Sequence, residues 1–445
     1  MSISPARRAA FHILLRVSKY GSYAQELLHS DLCSGLSSPD IGLTTELVMG
    51  VLRWQGVVDS AIAKWSSQKI TKLDSEVLVA LRLGVYQLGW LDRIPKHAAI
   101  HESVELVKSA RKRSAAPFAN AILRKLSDWG TEIKLDSIDA ATNRTTLSAV
   151  SSHPQWIVDR WIAKFGWDVA RKICKYDQTV PATTIRIRER GAEERLQNEG
   201  VILAPGSWMN AARRVIAGDV TATATYRDNC VAIQDEASQL VAALIGSGVR
   251  ILDCCAAPGG KTWAIADRNP QSPVLAVEVH DHRAQLLKKR VTARSVYVIN
   301  ADARHLPMST QFDRVLVDAP CSGTGTLARN PEIKWRLMPS DLKELQARQR
   351  DILKSAMHHV STKGRLIYAT CSLESEEGEA VIESALPDNS AFRIVSIDSV
   401  LRELIERDEM MSMNFTSLIH RTFLRTIPGM HDCDGFFAAV LERFR

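Results

Sequence analysis

The sequence predicts a chain of three parts: an all-α stretch over residues 1–139, a small α/β connector over 140–229, and an α/β domain over 230–445 with a mostly parallel sheet. Three observations carry this reading. Apolar residues recur at helical spacing through the first part, and strand, turn and helix signals mix in the second. Beyond residue 250, five short apolar runs each deliver a polar or thiol residue at their ends. A length of 445 residues accommodates two or three domains.

In the first part Ala6, Ala10, Ile13, Leu14 and Val17 keep a 3.6-residue period. Leu47, Val51, Leu52, Val58 and Ile62 do the same, as do Leu78, Leu81, Val85 and Leu88. Pro95 opens a further helix, H-A-A-I-H-E-S-V-E-L-V-K, and Phe118 to Leu126 another. These stripes read as the core of a helix bundle. His101-Glu102 starts like the zinc-binding H-E-x-x-H, but position 105 is Glu105, which excludes it. Arg7, Arg8, Arg111, Lys112, Arg113, Arg124 and Lys125 form basic clusters, either a solvated face or a surface for a polyanion.

The connector opens a helix near Pro154, alternates as a half-buried strand from Thr183 to Arg188, and turns at Gly200, Pro205 and Gly206. Its Arg186, Arg188, Arg213 and Arg214 read equally as nucleic-acid contacts or as solvated arginines.

The third part is organised around Arg250 to Thr262, R-I-L-D-C-C-A-A-P-G-G-K-T, a strand, a small-residue turn and a helix start in succession. Such a turn lets backbone N–H groups approach a ligand at a helix N-terminus. A P-loop would need glycine at position 255, which is Cys255, so that reading fails. The run V-L-A-V-E-V brings Glu278 to the end of the second strand, about twenty residues past the glycines, where an acid binds ribose hydroxyls. V-Y-V-I-N ends at Asn300 and leads to Asp302, placed to meet an adenine edge. F-D-R-V-L-V-D-A-P-C puts Asp318 and Cys321 past a fourth strand, and L-I-Y-A-T-C puts Cys371 past a fifth. Ligands of open α/β sheets bind beyond the carboxyl ends of strands, so one rim collects all these residues. Cys254 points toward the sheet's packing and reads as a small buried hydrophobe. Arg329 to Trp335, R-N-P-E-I-K-W, reads either as a cationic and aromatic clamp for a base near Cys321 or as packing.

Two cysteines on neighbouring strand ends can meet the two needs of a thiol-dependent methyl transfer to a pyrimidine, among other thiol chemistries. Carbon 5 of cytosine is a poor nucleophile, and a thiolate added to carbon 6 turns it into an enamine that can attack a methyl donor. A second group must then remove the carbon 5 proton. Spacing does not decide which cysteine takes which task.

The net charge of +7 and a pI near 9.0 suit a polyanionic partner. Eight cysteines contain no C-x-x-C pair, so neither a metal site nor disulfides are expected; reduced thiols point to the cytoplasm. No apolar run reaches the roughly 18 residues of a membrane helix.

D-x-C-A-A-P-G-G-K, D-A-P-C-S-G-T-G, A-T-C-S and the late D-G-F-F-A-A at Asp434 to Ala439 resemble the motifs of bacterial RNA (cytosine-5)-methyltransferases. A-R-R-A-A, L-V-M-G-V-L-R-W, I-P-K-H-A-A-I-H-E-S-V-E and F-A-N-A-I-L-R-K-L look like the helical domain of the NusB antitermination factor. Together they are most similar to the Sun/Fmu family, which acts on 16S ribosomal RNA. The resemblance implies a Rossmann-like class I fold with a mostly parallel seven-stranded sheet ending in an antiparallel hairpin involving Phe436 to Val440. It implies S-adenosylmethionine as cofactor, contacted by Cys255, Ala256, Ala257, Pro258, Gly259, Gly260, Lys261, Glu278, Arg283, Asp302 and Asp318. It makes Cys371 the nucleophile and Cys321 the helper in proton removal and product release; Asp318 is close enough in sequence to hydrogen-bond a protonated base N3. It implies RNA or protein docking for the helical part, and one 16S cytosine at roughly position 967 of that RNA as target, a detail the residues themselves do not read. A monomer with no DNA and no membrane partner is expected. E-N-V is absent and no long insert precedes Asp434, which argues against a DNA enzyme. A transfer-RNA cytosine methyltransferase and a non-enzymatic ribosome-assembly factor remain the alternatives.

Overall fold

A computed structural model describes residues 3–128, 137–413 and 415–445. The chain forms two compact units, Met1–Val180 with Leu327–Leu337, and Pro181–Thr326 with Met338–Arg445. Of residues 140–229, expected as a single connector, the helices up to Asp177 fall in the first unit, and the helices Ala192–Asn198 and Ala224–Arg227 with the strands fall in the second.

In the first unit the apolar stripes bury as their period requires. Ala6 is buried, and Ala10, Ile13, Leu14, Leu47, Val51, Leu52, Val58, Ile62, Leu81 and Val85 are in one core, with Val17, Leu78 and Leu88 packed at its edge. The stripe from Leu47 to Ile62, which the sequence presents as continuous, is two helices, Ser38–Arg53 and Gln55–Trp65. The break is at Trp54, whose ring packs on Trp90 with centroids 5.5 Å apart. Helix Lys96–Ser109 starts directly after Pro95, and Ala116–Asp128 contains the expected Phe118 to Leu126 helix. The expectation of helix on to residue 139 falls partly on 129–136, outside the described residues.

Two expectations change inside this unit. Arg7 is buried, donating to Gln87 Oε1 at 2.6 Å and pairing with Glu102 at 3.1 Å, so it is a core cation and not a surface one. The segment Leu327–Leu337 is packed in the bundle: Trp335 Nε1 donates to the Leu52 carbonyl at 2.7 Å, and buried Lys334 donates to the Arg53 carbonyl at 3.0 Å. Packing, the second of the two readings of R-N-P-E-I-K-W, accounts for both side chains.

The second unit holds two sheets. The smaller comprises β1 (Thr184–Ile187), β2 (Ile202–Pro205), β3 (Ala212–Ala217) and β4 (Val231–Ile233) in the order β2-β3-β1-β4. The larger runs through β5 (Ile251–Asp253), β6 (Val274–Glu278), β7 (Val296–Asn300), β8 (Phe312–Asp318), β9 (Val360–Thr370), β10 (Phe392–Val395), β11 (Ile419–His420), β12 (Phe423–Thr426) and β13 (Phe436–Arg443). Its order is β11-β12-β13-β9-β8-β5-β6-β7, with β10 also on β13. This is a Rossmann-like mixed sheet; among the described residues it has nine strands where seven were expected, because the short β10 and β11 extend the antiparallel edge. The strands β5 to β9 are parallel, and β12 and β13 form the expected antiparallel hairpin. Parallel pairing puts Asp253, Glu278, Asn300, Asp318 and Thr370, the last residues of five strands, on one rim.

Candidate active site

The turn after β5 is held by main-chain bonds to both neighbouring strands: Cys254 N donates to Leu316 O and Ala256 N to Val277 O, each at 2.9 Å. Gly259 has φ +106°, a conformation L side chains resist, and it caps helix Gly260–Arg268. Cys255, Ala256, Ala257, Pro258, Gly259 and Gly260 thus lead straight into a helix start, with Lys261 in its first turn. Lys261 Nζ lies 2.6 Å from Asp318 Oδ2 and 4.9 Å from the Phe436 ring centroid, joining β8, the turn and the D-G-F-F segment. Burial works against its charge, but Asp318, then Cys371 and Asp253, outweigh it and raise the ammonium pKa.

Asp253, which closes β5 and was not among the expected site residues, lies on the same rim. It is almost fully buried, accepts a bond from Thr262 Oγ1 at 2.7 Å through one oxygen, and keeps the other without a partner in the protein. Burial, helped by nearby Asp318 and opposed by the Thr262 bond, pushes its carboxyl up to about 7. Its signal was the aspartate closing the β5 run, the same strand-end logic applied to the other acids.

Glu278 is buried at the end of β6 and accepts from His280 N at 2.9 Å. Arg283 follows on helix Asp281–Arg290. Asp302, expected open to an adenine edge, is engaged by Arg304, whose guanidinium reaches it at 2.6 Å and lowers its pKa.

Cys321 and Cys371 are brought together: their Sγ atoms are 3.3 Å apart and both are partly exposed. The adjacent parallel ends of β8 and β9, with Asp318 opposite Ala369, make this inevitable. The loops lock further through Gly325 N to Cys371 O at 3.0 Å and Gly435 N to Gly325 O at 2.7 Å. A Cβ on Gly325 would lie 2.1 Å from the Gly435 oxygen, so only glycine fits there. The hydrogen bond with Cys371, followed by burial, holds the Cys321 thiol well above its ordinary pKa. Cys254, Cys255 and Cys433 are also pushed well up, by burial first. Cys254 is 1% exposed, the buried small hydrophobe its position predicts.

Each connector arginine is held in an ion pair, Arg186 buried and Arg214 partly exposed. Arg186 and Arg188 each pair with Asp267 at 2.8 Å, and Arg188 stacks 3.9 Å over the Trp263 ring. Arg213 binds Glu193 at 2.7 Å, and Arg214 lies 3.3 Å from Asp432. The pairs of Arg186, Arg188 and Arg214 link the small sheet to the large-sheet part, and that of Arg213 stays within the small-sheet part.

Known proteins carry the same arrangement. Residues 245–442 match the family described as 16S rRNA methyltransferase RsmB/F, and residues 4–128 match the NusB family. The probable ribosomal RNA small subunit methyltransferase B of Bacillus subtilis is 31% identical over 459 residues, covering all of both chains. The chain belongs to the RsmB/F family of 16S rRNA methyltransferases. It is an S-adenosylmethionine-dependent methyltransferase of the small-subunit ribosomal RNA type, with a NusB-like helical domain. Among solved structures, PH0851 superposes over all of both chains with a TM-score of 0.80 at 23% identity, a likeness of fold. NSun6 from Pyrococcus horikoshii with SFG matches 66% of this chain and 98% of its own, with a TM-score of 0.55 at 17% identity. Among the described residues no helix is long and apolar enough to cross a membrane, and no cluster of His, Cys, Asp or Glu is arranged to hold a metal ion.

Proposed function

We propose that the enzyme methylates carbon 5 of one cytosine in 16S ribosomal RNA, at roughly position 967 of that RNA, through a covalent bond between Cys371 and carbon 6. The observation that carries this reading is the 3.3 Å approach of Cys321 and Cys371 on a rim that also bears Asp318.

The residues fit an S-adenosylmethionine cofactor. A glycine-capped helix start, a buried Glu278 and a buried Asp253 oxygen lacking a protein partner supply donors and acceptors for a polar nucleoside. Carboxylates at Asp253, Glu278 and Asp318 suit a ligand bearing a sulfonium charge. Residues Cys255 to Lys261, Glu278, Arg283, Asp302 and Asp318 would hold it, Asp302 sharing itself with Arg304. When bound, it supplies the electrophilic methyl group that carbon 5 captures.

Cys371, as thiolate, bonds to carbon 6, and the electron pair of the carbon 5–carbon 6 double bond becomes nucleophilic at carbon 5. A solvent proton is taken up at base N3, where the Asp318 carboxylate accepts its hydrogen bond. After methyl capture Cys321, whose own proton has passed to solvent, takes the carbon 5 proton. The freed electron pair restores the double bond, Cys371 leaves as thiolate, and N3 gives up its proton. Exposed Arg8, Arg111, Arg113 and Arg124 of the NusB-like part offer cations to RNA phosphates. The protein would work as a cytoplasmic monomer on naked RNA or on a partly assembled particle.

The purified protein, given labelled S-adenosylmethionine with unmodified 16S RNA, small subunits or transfer RNA, should label 16S RNA at a single bisulfite-resistant cytosine. Label confined to transfer RNA would overturn the substrate, and no label with any RNA would overturn the activity.

A further inference from the structure

Beneath the two cysteines lies a carboxylate that neither the motifs nor the mechanism above uses. Glu377 is fully buried, six residues past Cys371. Its Oε1 accepts from Ser322 N at 2.8 Å and Gln349 Nε2 at 2.9 Å. Its Oε2 accepts from Ser372 Oγ at 2.5 Å and from Ser322 Oγ. Ser322 and Ser372 are the residues directly after Cys321 and Cys371. The same residue's main-chain oxygen accepts from Tyr368 Oη at 2.9 Å and Thr370 Oγ1 at 3.1 Å, anchoring it to the end of β9. Gln349 in turn donates to the Pro320 carbonyl at 2.9 Å. A carboxylate buried among four donors is stable as an anion, whereas one stripped of them would not be.

We infer that Glu377 is a positioning residue for the thiol pair: through the serine beside each cysteine it clamps the Cys321 loop to the Cys371 loop and holds both sulfurs at one base. The inference rests on the cysteine roles proposed above and adds what keeps the two sulfurs together. The Glu377 anion bonds the backbone beside Cys321 and opposes loss of that thiol's proton; the Cys321 pKa is raised, by Cys371 first, then burial, with Glu377 among the further causes. The clamp holds the two sulfurs 3.3 Å apart, so a base bonded to Cys371 presents its carbon 5 proton to Cys321.

Glu377→Gln keeps the size and can keep the hydrogen bonds, since both serine hydroxyls can turn to accept, but it removes the charge. The test compares wild type, Glu377→Gln, Ser372→Ala and Cys321→Ala in three measurements. These are cofactor affinity, the pH dependence of iodoacetamide alkylation at each cysteine read by mass spectrometry, and the lifetime of the protein–RNA adduct on a denaturing gel. Glu377→Gln should bind cofactor as wild type does, shift the alkylation midpoint of Cys321 to lower pH, and prolong the adduct several-fold, because the serines must turn round to keep the clamp. Ser372→Ala, which loosens the clamp without touching the carboxylate, should prolong the adduct less, and it keeps the test alive if Glu377→Gln does not fold. An adduct that persists with Cys321→Ala but turns over at the wild-type rate with both clamp variants would overturn the role of Glu377 while leaving the cysteine roles standing. Failure of Cys321→Ala to trap any adduct would instead overturn the cysteine roles and this inference with them.

Discussion

In the helical unit Lys334, His153 and Asp177 lie inside the bundle; in the sheet unit Lys261, Asp318 and Glu377 lie where strands end. The two groups meet opposite fates. Burial, with the Lys334 charge nearby, pushes the His153 imidazole well below its ordinary pKa, and burial pushes the Lys334 ammonium down to about 7. His153 Nε2 lies 3.2 Å from Asp177, and Lys334 makes its hydrogen bond to a carbonyl. The Lys261 ammonium, less deeply placed, is raised because Asp318 sits 2.6 Å away, and Glu377 is met by four donors. Helix interiors supply few free donors or acceptors, since their backbones are internally bonded, so a buried charge there is suppressed. Strand ends and the loops beyond them leave backbone and side-chain groups free to hold one, which is why chemistry gathers on that rim.

The contrast can be broken at either end. Asp318→Asn removes the counter-charge of Lys261 and should lower methyl transfer by about 10²-fold or more, the usual scale for losing a group that holds a proton in the transition state. Single-turnover rates with labelled cofactor measure it, and activity near wild type would mean the rim does not need that charge. Lys334→Met should be neutral or stabilising near pH 7. The sign follows from Lys334's lowered value: the unfolded chain titrates that ammonium near 10.4 and the folded chain near 7. Between them the unfolded state binds more protons, so stability rises with pH over that window and the burial cost is fully present below 7. Urea midpoints of the full chain from pH 7 to 9 should climb in wild type and climb less in Lys334→Met; parallel curves would deny the suppression. Arg214→Ala should have the smallest effect: its pair with Asp432 is well exposed, so less than about 1 kcal/mol of stability is expected. A larger loss in the same urea titration would make that contact structural in a way exposure does not predict.

Where the sequence was legible depended on whether a residue's task was local. The β5 turn, Glu278 and the two cysteines follow from strand ends and small-residue turns, and all lie on the rim where those rules put them. The helical stripes bury as their period requires because a stripe records its own burial face. Partners distant in sequence were not legible. Nothing near Arg186 and Arg188 announces Asp267, nothing in R-N-P-E-I-K-W announces Leu52 and Arg53, and Gln349 gives no sign that it shares Glu377 with Ser322. Those pairings are set by tertiary packing, as is the break at Trp54 within an unbroken apolar stripe.

The proposed mechanism turns on Cys371 attacking and Cys321 releasing. Wild-type, Cys321→Ala and Cys371→Ala proteins mixed with unmodified 16S RNA and S-adenosylmethionine test it on one denaturing gel. A protein–RNA adduct that accumulates with Cys321→Ala and is absent with Cys371→Ala is the predicted result. The reverse pattern would exchange the two roles, and adduct formation by Cys371→Ala at the level of Cys321→Ala would contradict the account.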